Sequence, residues 1–306
     1  MIATAHQPCT LLSRLPNVRG RYDENALLAA MCWFKVGGAA DIIYVPADTE
    51  DLADFLANVP SDIPLTLFGA GSNVLVRDGG VRGVCIKLMG GFAQLHQQED
   101  LIYAGAAVPD VKIARAAADW SRTGLEFYRG IPGTCGGAIA MNAGAYGSET
   151  CDVLAYVDAL DKRGRHIRLT PDDFKFAYRY NGYSDFALYI GAAFHTTAGD
   201  ATQIKETMDA IATERGDSQP IKSRTGGSTF KNPRNQKAWQ LIDDAGCRGL
   251  RNGGAQISEQ HCNFLINHGE ASALDLETLG ETTQARVQTQ SGITLEWEIK
   301  RIGEAI

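Results

Sequence analysis

Apolar residues recur along this chain at two periods, and the changes between them mark out its elements. A Gly-Gly turn at 37–38 leads into a short β-branched run at 42–45, ended by Pro46, which reads as a strand. Leu52, Phe55, Leu56 and Val59 then recur at helical spacing, with Thr49 expected as the cap and Pro60 and Pro64 closing the helix. Further strands are expected at 65–68, 74–76, 84–88, 101–104, 153–159, 167–169 and 188–194. A helix is expected from Asp110 as its cap, with Val111, Ile113, Ala114, Ala117 and Trp120 inward and Gly124 at its end. Beyond Gly199 the composition shifts. Helices are expected at 200–215 (Ile204, Met208 and Ile211 on one face, stopped by Gly216) and at 239–245. A last long helix is capped by Ser272 and runs through Leu279 and Val287. Short strands are expected at 257, 264–266 and 295–299. Short strands joined by turns suit an α+β architecture better than regular βαβ alternation. The expected division is a loose lead-in at 1–20, two units at 21–88 and 89–199, and a C-terminal domain at 200–306.

Two glycine-rich breaks interrupt this pattern. The stretch 130–147, GIPGTCGGAIAMNAGAYG, holds six glycines and four alanines and no charged side chain. It offers little bulk of its own but lets main chain approach something closely. A large, flat, partly anionic cofactor held by main-chain groups would suit it. The turn Gly69-Ala70-Gly71-Ser72-Asn73 sits between two strands, whereas the glycines of a Rossmann unit open a helix. Neither G-x-G-x-x-G nor a P-loop is present. Such a turn can still present several N–H groups to a diphosphate, although a plain hairpin turn explains it as well. The candidate cofactor contacts are therefore Gly69, Ala70, Gly71, Ser72 and Asn73, with Ile131, Pro132, Gly133, Thr134, Gly136, Gly137, Ala138, Asn142, Ala143 and Gly144.

Composition narrows the function classes. At 306 residues, with 44% hydrophobic and 21% charged residues, the chain has the make-up of a multi-domain globular protein. A net charge of -7 argues against a nucleic-acid partner, since phosphate binding leaves a basic footprint. No apolar run reaches the roughly 18 residues of a membrane span, and the N-terminus lacks the pattern of a signal peptide. The seven cysteines are scattered without a C-x-x-C pair, which suits reduced thiols in a cytoplasm and no zinc site.

Four residues stand out as candidate chemistry, each with an ordinary alternative. Ser228 follows two glycines in GGSTFKNP, with Lys231 and Asn232 adding a cation and an amide. A lone serine there is ordinarily a turn residue, but it can donate a proton if its surroundings refill it. The absence of a G-x-S-x-G elbow leaves an acyl-transfer hydrolase unsupported. Arg179, among aromatics in FAYRY, could hold a carboxylate by two parallel hydrogen bonds or simply stack at the surface. Glu298, in LEWEIKRI, shares an alternating face with Glu296, and taken alone that face reads as solvated. Cys135 reads as a small apolar filler rather than a nucleophile, with no histidine near it in sequence.

Taken together, WFKVGGAAD, GAGSNVLVRDGG, GLEFYRGIPGTCGGAIAMNAGAYGSE, YRYNGYS, GGSTFKNP and LEWEIKRIG resemble, in order, the UDP-N-acetylenolpyruvoylglucosamine reductase (MurB) family over about residues 31–303. The short spacing from Gly147 to Arg179 resembles the family's second type, without an extra substrate loop. The resemblance implies a two-subdomain FAD-binding fold of the vanillyl-alcohol-oxidase type plus a C-terminal α+β substrate-binding domain. It implies a cytoplasmic enzyme of peptidoglycan precursor synthesis, taken as a monomer. NADPH would pass a hydride to FAD, and flavin N5 would pass it to C3 of the enolpyruvyl group, with protonation at C2 giving UDP-N-acetylmuramate. By resemblance Ser228 is the proton donor, and Arg179 and Glu298 are partners of the substrate carboxylate. Lys231 and Asn232 are substrate contacts, and Lys222 and Arg224 are further available cations. Cys32, Thr134 and Cys135 stand where the family commonly has Thr, Ser and Ile. Two rivals remain: another flavoenzyme of this fold oxidising an alcohol or hydroxy acid, and a non-catalytic binder of flavin or nucleotide sugar.

Overall fold

A computed structural model describes residues 10–306; the first nine residues of the expected lead-in lie outside them. The rest of the lead-in is not loose. Leu11, Leu12, Leu15 and Val18 pack against a hydrophobic core.

The first unit is a four-stranded sheet in the order Arg21–Leu27, Ala39–Val45, Val81–Ile86, Leu65–Leu67. The first pair is antiparallel and the others are parallel. Residues 42–45 are all buried, so alternation sends them to opposite faces of the sheet. Ile42 and Tyr44 meet Leu52, Phe55 and Leu56 of the helix Thr49–Asn58. Ile43 and Val45 share the second core, which includes Phe230, Leu276, Leu279 and Val287 of the C-terminal region. The sheet is thus covered on both sides. The cap of that helix is Asp48, whose carboxylate accepts from Asp51 N, and not Thr49. An acceptor one residue earlier satisfies the first free N–H groups.

The second unit is a five-stranded antiparallel sheet in the order His166–Leu169, Leu154–Asp161, Ala187–His195, Leu101–Gly105, Leu95–Gln98. The helix Asp110–Asp119 packs Ile113, Ala114, Ala117 and Ala118 into its core. Pro109, not Asp110, takes the cap position, and no side chain caps this helix. The helix Ala201–Ser218 runs through Gly216 and adds Ile204 and Met208 to the same core. The division between cores therefore falls after residue 218 rather than at the composition shift near 199. That helix is amphipathic, and its apolar face follows the chain before it.

The C-terminal unit pairs Arg251–Asn252, Ala255–Ile257 and Leu265–Asn267 beneath the helix Ala273–Ser291. Ser272 caps that helix with a reciprocal capping box to Asp275. The expected strand at 295–299 is an extended segment with one bridge, Trp297 to Phe230. A regular strand begins only at Lys300–Ile302, which returns to the first unit and runs parallel to Val74–Val76. Arg77, Glu277 and Arg301 tie the same join together: Arg77 grips Glu277 with Nε at 2.9 Å and Nη2 at 2.7 Å. Among the described residues no helix is long and apolar enough to cross a membrane.

Candidate active site

The stretch 130–147 is more ordered than its composition suggests. After an extended piece it forms the helix Cys135–Met141, and Asn142 ends that helix in the left-handed region at φ 43°. Cys135 is fully buried, and its thiol, pushed well up by burial, points at Ala104 O, so it is the expected filler.

The glycines divide by what a side chain would meet. At Gly69 and at Gly137 an added Cβ would meet only Thr134 Oγ1, 3.9 Å away in each case. One hydroxyl thus faces open space bounded by both glycine turns. That cradle, lined by main chain, holding one hydroxyl and backed by Lys87, whose Nζ donates to Gly69 O, fits a flavin nucleotide. Elsewhere the close approach is chain against chain. A Cβ on Gly136 would come 3.1 Å from Ala106 Cβ, on Gly144 2.6 Å from Glu149 Cγ, and on Gly71 2.5 Å from Met31 O. These three positions, expected as cofactor contacts, owe their glycines to packing within the protein.

Asn142 also differs from expectation. Its side chain is fully buried and used within the chain: Nδ2 donates to Glu149 Oε2 at 2.9 Å and Ala177 O at 3.2 Å, and Oδ1 accepts from Cys151 N at 3.0 Å. The bond to Ala177 holds a tight turn in which Ala177 and Tyr180 exchange backbone hydrogen bonds. Arg179 sits at its tip at φ 57°, a conformation costly for any residue but glycine. Its guanidinium donates from Nη2 to Gly144 O at 3.0 Å and from Nε to Glu298 Oε1 at 2.7 Å. It also lies 4.8 Å from the ring centre of Tyr178. The end of the glycine stretch is therefore the mount for Arg179.

Glu298 and Glu296 do not share an environment. The Glu296 side chain is 72% exposed and meets Lys231 Nζ at 2.6 Å, whereas that of Glu298 is 12% exposed against Arg179. Burial pushes the Glu298 carboxyl up, Arg179 and Lys231 pull it down, and the balance stays above the ordinary glutamate value. The solvated-face alternative fails because the segment is not a regular strand there. Asn73 of the first glycine turn donates from Nδ2 to Glu298 O at 3.2 Å and accepts from Lys300 N at 3.0 Å. The turn 69–73 and the segment bearing Glu298 are thereby locked in register.

Ser228 lies on the extended segment next to Glu298. Glu298 N donates to Thr229 O at 2.9 Å, and Ser228 bridges Phe264 on the other side. Buried Asn263 clamps this segment, accepting from Phe230 N and donating to Phe230 O. Nothing in the local sequence singles out Asn263, since an amide clamp has no spacing signature. Ser228 Oγ has no hydrogen-bond partner among the described residues. Asn232 turns its Oδ1 to Ala238 N and reaches Tyr178 OH at 3.5 Å. Lys222 and Arg224 are exposed, and among the described residues neither forms a hydrogen bond or ion pair with Ser228, Arg179 or Glu298.

The structure thus gathers a main-chain cradle, a hydroxyl, and a desolvated arginine–carboxyl pair. Comparison with known proteins accounts for both parts. An FAD binding domain model matches residues 40–170, and a model of the UDP-N-acetylenolpyruvoylglucosamine reductase C-terminal domain matches residues 219–302. The UDP-N-acetylenolpyruvoylglucosamine reductase of Parvibaculum lavamentivorans is 52% identical, covering 98% of this chain and 96% of that one. That of Azorhizobium caulinodans is 53% identical over 96% and 95%. The crystal structure of the Thermus caldophilus enzyme superposes with a TM-score of 0.81 at 31% identity, covering 94% of this chain and all of that one. Identity at this level, end to end and across both matched domains, places the chain in the UDP-N-acetylenolpyruvoylglucosamine reductase family, FAD-dependent oxidoreductases with a flavin-binding fold of the vanillyl-alcohol-oxidase type.

Proposed function

We propose that this enzyme reduces the enolpyruvyl ether of UDP-N-acetylglucosamine enolpyruvate to UDP-N-acetylmuramate, with NADPH as reductant, in peptidoglycan precursor synthesis. It acts as a cytoplasmic monomer on small molecules, without a nucleic-acid partner. The observation that carries the reading is the largely desolvated Arg179–Glu298 pair beside Ser228, tied through Asn73 to the glycine cradle. Main chain of 69–73, 131–134 and 137–138 would hold FAD, with the Thr134 hydroxyl between them. Bound there, FAD would supply the redox chemistry that links NADPH to C3 of the enolpyruvyl group.

The chain's own residues manage charge and proton. Addition at C3 leaves negative charge at C2 that spreads into the substrate carboxylate, where Arg179 stabilises it. Two carboxylates meeting one guanidinium favour proton uptake by the one already desolvated. Glu298 then donates an O–H to the substrate carboxylate instead of competing with it. Ser228 delivers the proton to C2. Lys231 and Asn232 stand next to this group on the same segment and contact the substrate.

Anaerobic reoxidation of the NADPH-reduced enzyme tests the reading. The enolpyruvyl substrate should accelerate it. In Ser228→Ala, reduction by NADPH should survive while substrate reduction falls by about two to four orders of magnitude. No acceleration in the wild-type enzyme, or equal loss of both half-reactions in the variant, refutes the assignment.

A further inference from the structure

Asp110 and Asp51 are both buried aspartates, and the structure treats them oppositely. Asp51 accepts from Arg19 N at 2.7 Å, from Gly20 N and Ala47 N at 2.9 Å, and from the Tyr44 hydroxyl at 2.9 Å. Burial pushes its carboxyl up, but these donors outweigh it and leave it below the ordinary range. Asp110 is completely buried, and neither carboxyl oxygen meets a hydrogen-bond partner among the described residues. An isolated buried carboxylate is far too costly, so such a group takes up a proton instead.

The position of Asp110 is as unusual as its isolation. It opens the helix Asp110–Asp119, and its N–H donates to Gly133 O at 3.1 Å. Its Oδ2 lies 2.8 Å from where a Cβ of Gly133 would stand, and Ser72 Oγ lies 3.9 Å from the same point. The carboxyl therefore packs behind Gly133, where the two glycine turns meet. The titratable groups facing it are Tyr128, from the turn Glu126–Gly130, and Cys135, from the next helix; burial pushes both well up, leaving them uncharged at neutral pH. Lys112, Arg115 and Asp119 of its own helix are exposed. Desolvation alone sets its titration, upward, and no cation offsets it.

We propose that Asp110 is a cofactor-positioning residue whose carboxyl, lodged behind Gly133, ties flavin affinity to pH. The proposal rests on the reading that the turns 69–73 and 131–134 hold the flavin diphosphate. With Asp110 neutral, its carboxyl is a shape that seats Gly133. Ionised, it places a buried negative charge directly behind the bed of an anionic group, and the two repel. By linkage, bound diphosphate holds the proton on Asp110, so affinity is full while the free-enzyme group is protonated. Affinity falls as pH rises through that group's pKa, by up to about tenfold per pH unit.

FAD dissociation constants of the apo-enzyme from pH 5 to 9 test this, in wild type and in Asp110→Asn, which keeps the shape and cannot ionise. Wild type should weaken with pH while the variant stays flat. A parallel fall in both overturns the proposal. Infrared spectra of the wild-type apo-enzyme supply a test that needs no variant. A protonated carboxylic acid band, assigned by aspartate isotope labelling, should be lost over the pH interval in which flavin is released. Absence of that band at the acid end overturns the proposal. Gly137→Val probes the underlying reading separately. Undiminished flavin binding by it would remove the cradle assignment and the proposal with it, whatever Asp110→Asn shows.

Discussion

Replacing Glu298 by glutamine isolates the electrostatic part of the site. Glu298 Oε1 lies 2.7 Å from Arg179 Nε, with the two side chains 12% and 19% exposed. For charge centres about 4 Å apart at an effective dielectric near 20, the attraction is about 4 kcal/mol. Much of that is offset by desolvating the two groups. What remains is what a substrate carboxylate must overcome while Glu298 is ionised. Protonation removes that competition and supplies a donor. Burial holds the Glu298 carboxyl above its ordinary value, so the protonated form persists to higher pH than a surface glutamate allows. Above its pKa, each pH unit lowers the competent fraction tenfold, about 1.4 kcal/mol. The wild-type kcat/KM for the enolpyruvyl substrate should therefore fall along an alkaline limb. Glutamine offers a donor at every pH, so Glu298→Gln should lose that limb and, at the acid end, stay within about fivefold of wild type, the worth of one altered neutral hydrogen bond. Stopped-flow measurement of the two half-reactions across pH is the assay. Reduction by NADPH serves as the control and should keep its profile. An unchanged alkaline limb in the variant, or a uniform loss at all pH values, refutes the reasoning.

Two further predictions concern the scaffold. A Cβ is free at Gly137 and crowded at Gly136, so Gly137→Val should lose flavin with little change in apo-enzyme melting. Gly136→Val should instead lower stability by about 1–3 kcal/mol through overpacking, read by denaturant unfolding of the apo-enzyme. The Glu277 carboxyl is held below its ordinary value, chiefly by its hydrogen bonds from Arg77, so its contribution to stability is full above the ordinary glutamate pKa and lost as pH falls through the lowered one. Arg77→Ala should thus cost about 1 kcal/mol at pH 7, discounted because Arg77 is partly exposed, and that cost should shrink on acidification.

Much of this protein was legible in its sequence because much of it is decided locally. Helix 273–291 is announced by its Ser272 cap, and residues 42–45 by a β-branched run between turn residues. Ser228, Arg179 and Glu298 were recognisable as candidates because each sits in a short motif, and the fold brings Arg179 onto Glu298 beside the segment that carries Ser228. What the sequence could not decide were matters of distance between segments far apart in the chain. Glycine composition marks close approach but not what approaches, so Gly71, Gly136 and Gly144 looked like Gly137 until their neighbours were in place. Asn142 and Asp110 are polar residues whose roles depend entirely on burial: one is fully partnered, the other orphaned. Glu296 and Glu298 are equivalent by alternation and opposite in environment, because the segment that carries them is bent against a hairpin 119 residues earlier. Periodicity is a property of neighbouring residues, whereas desolvation and charge pairing depend on everything else that packs around a group. The sequence by itself therefore determined the elements and the motifs, and the tertiary structure decided which carboxyls are kept out of water and what each one faces.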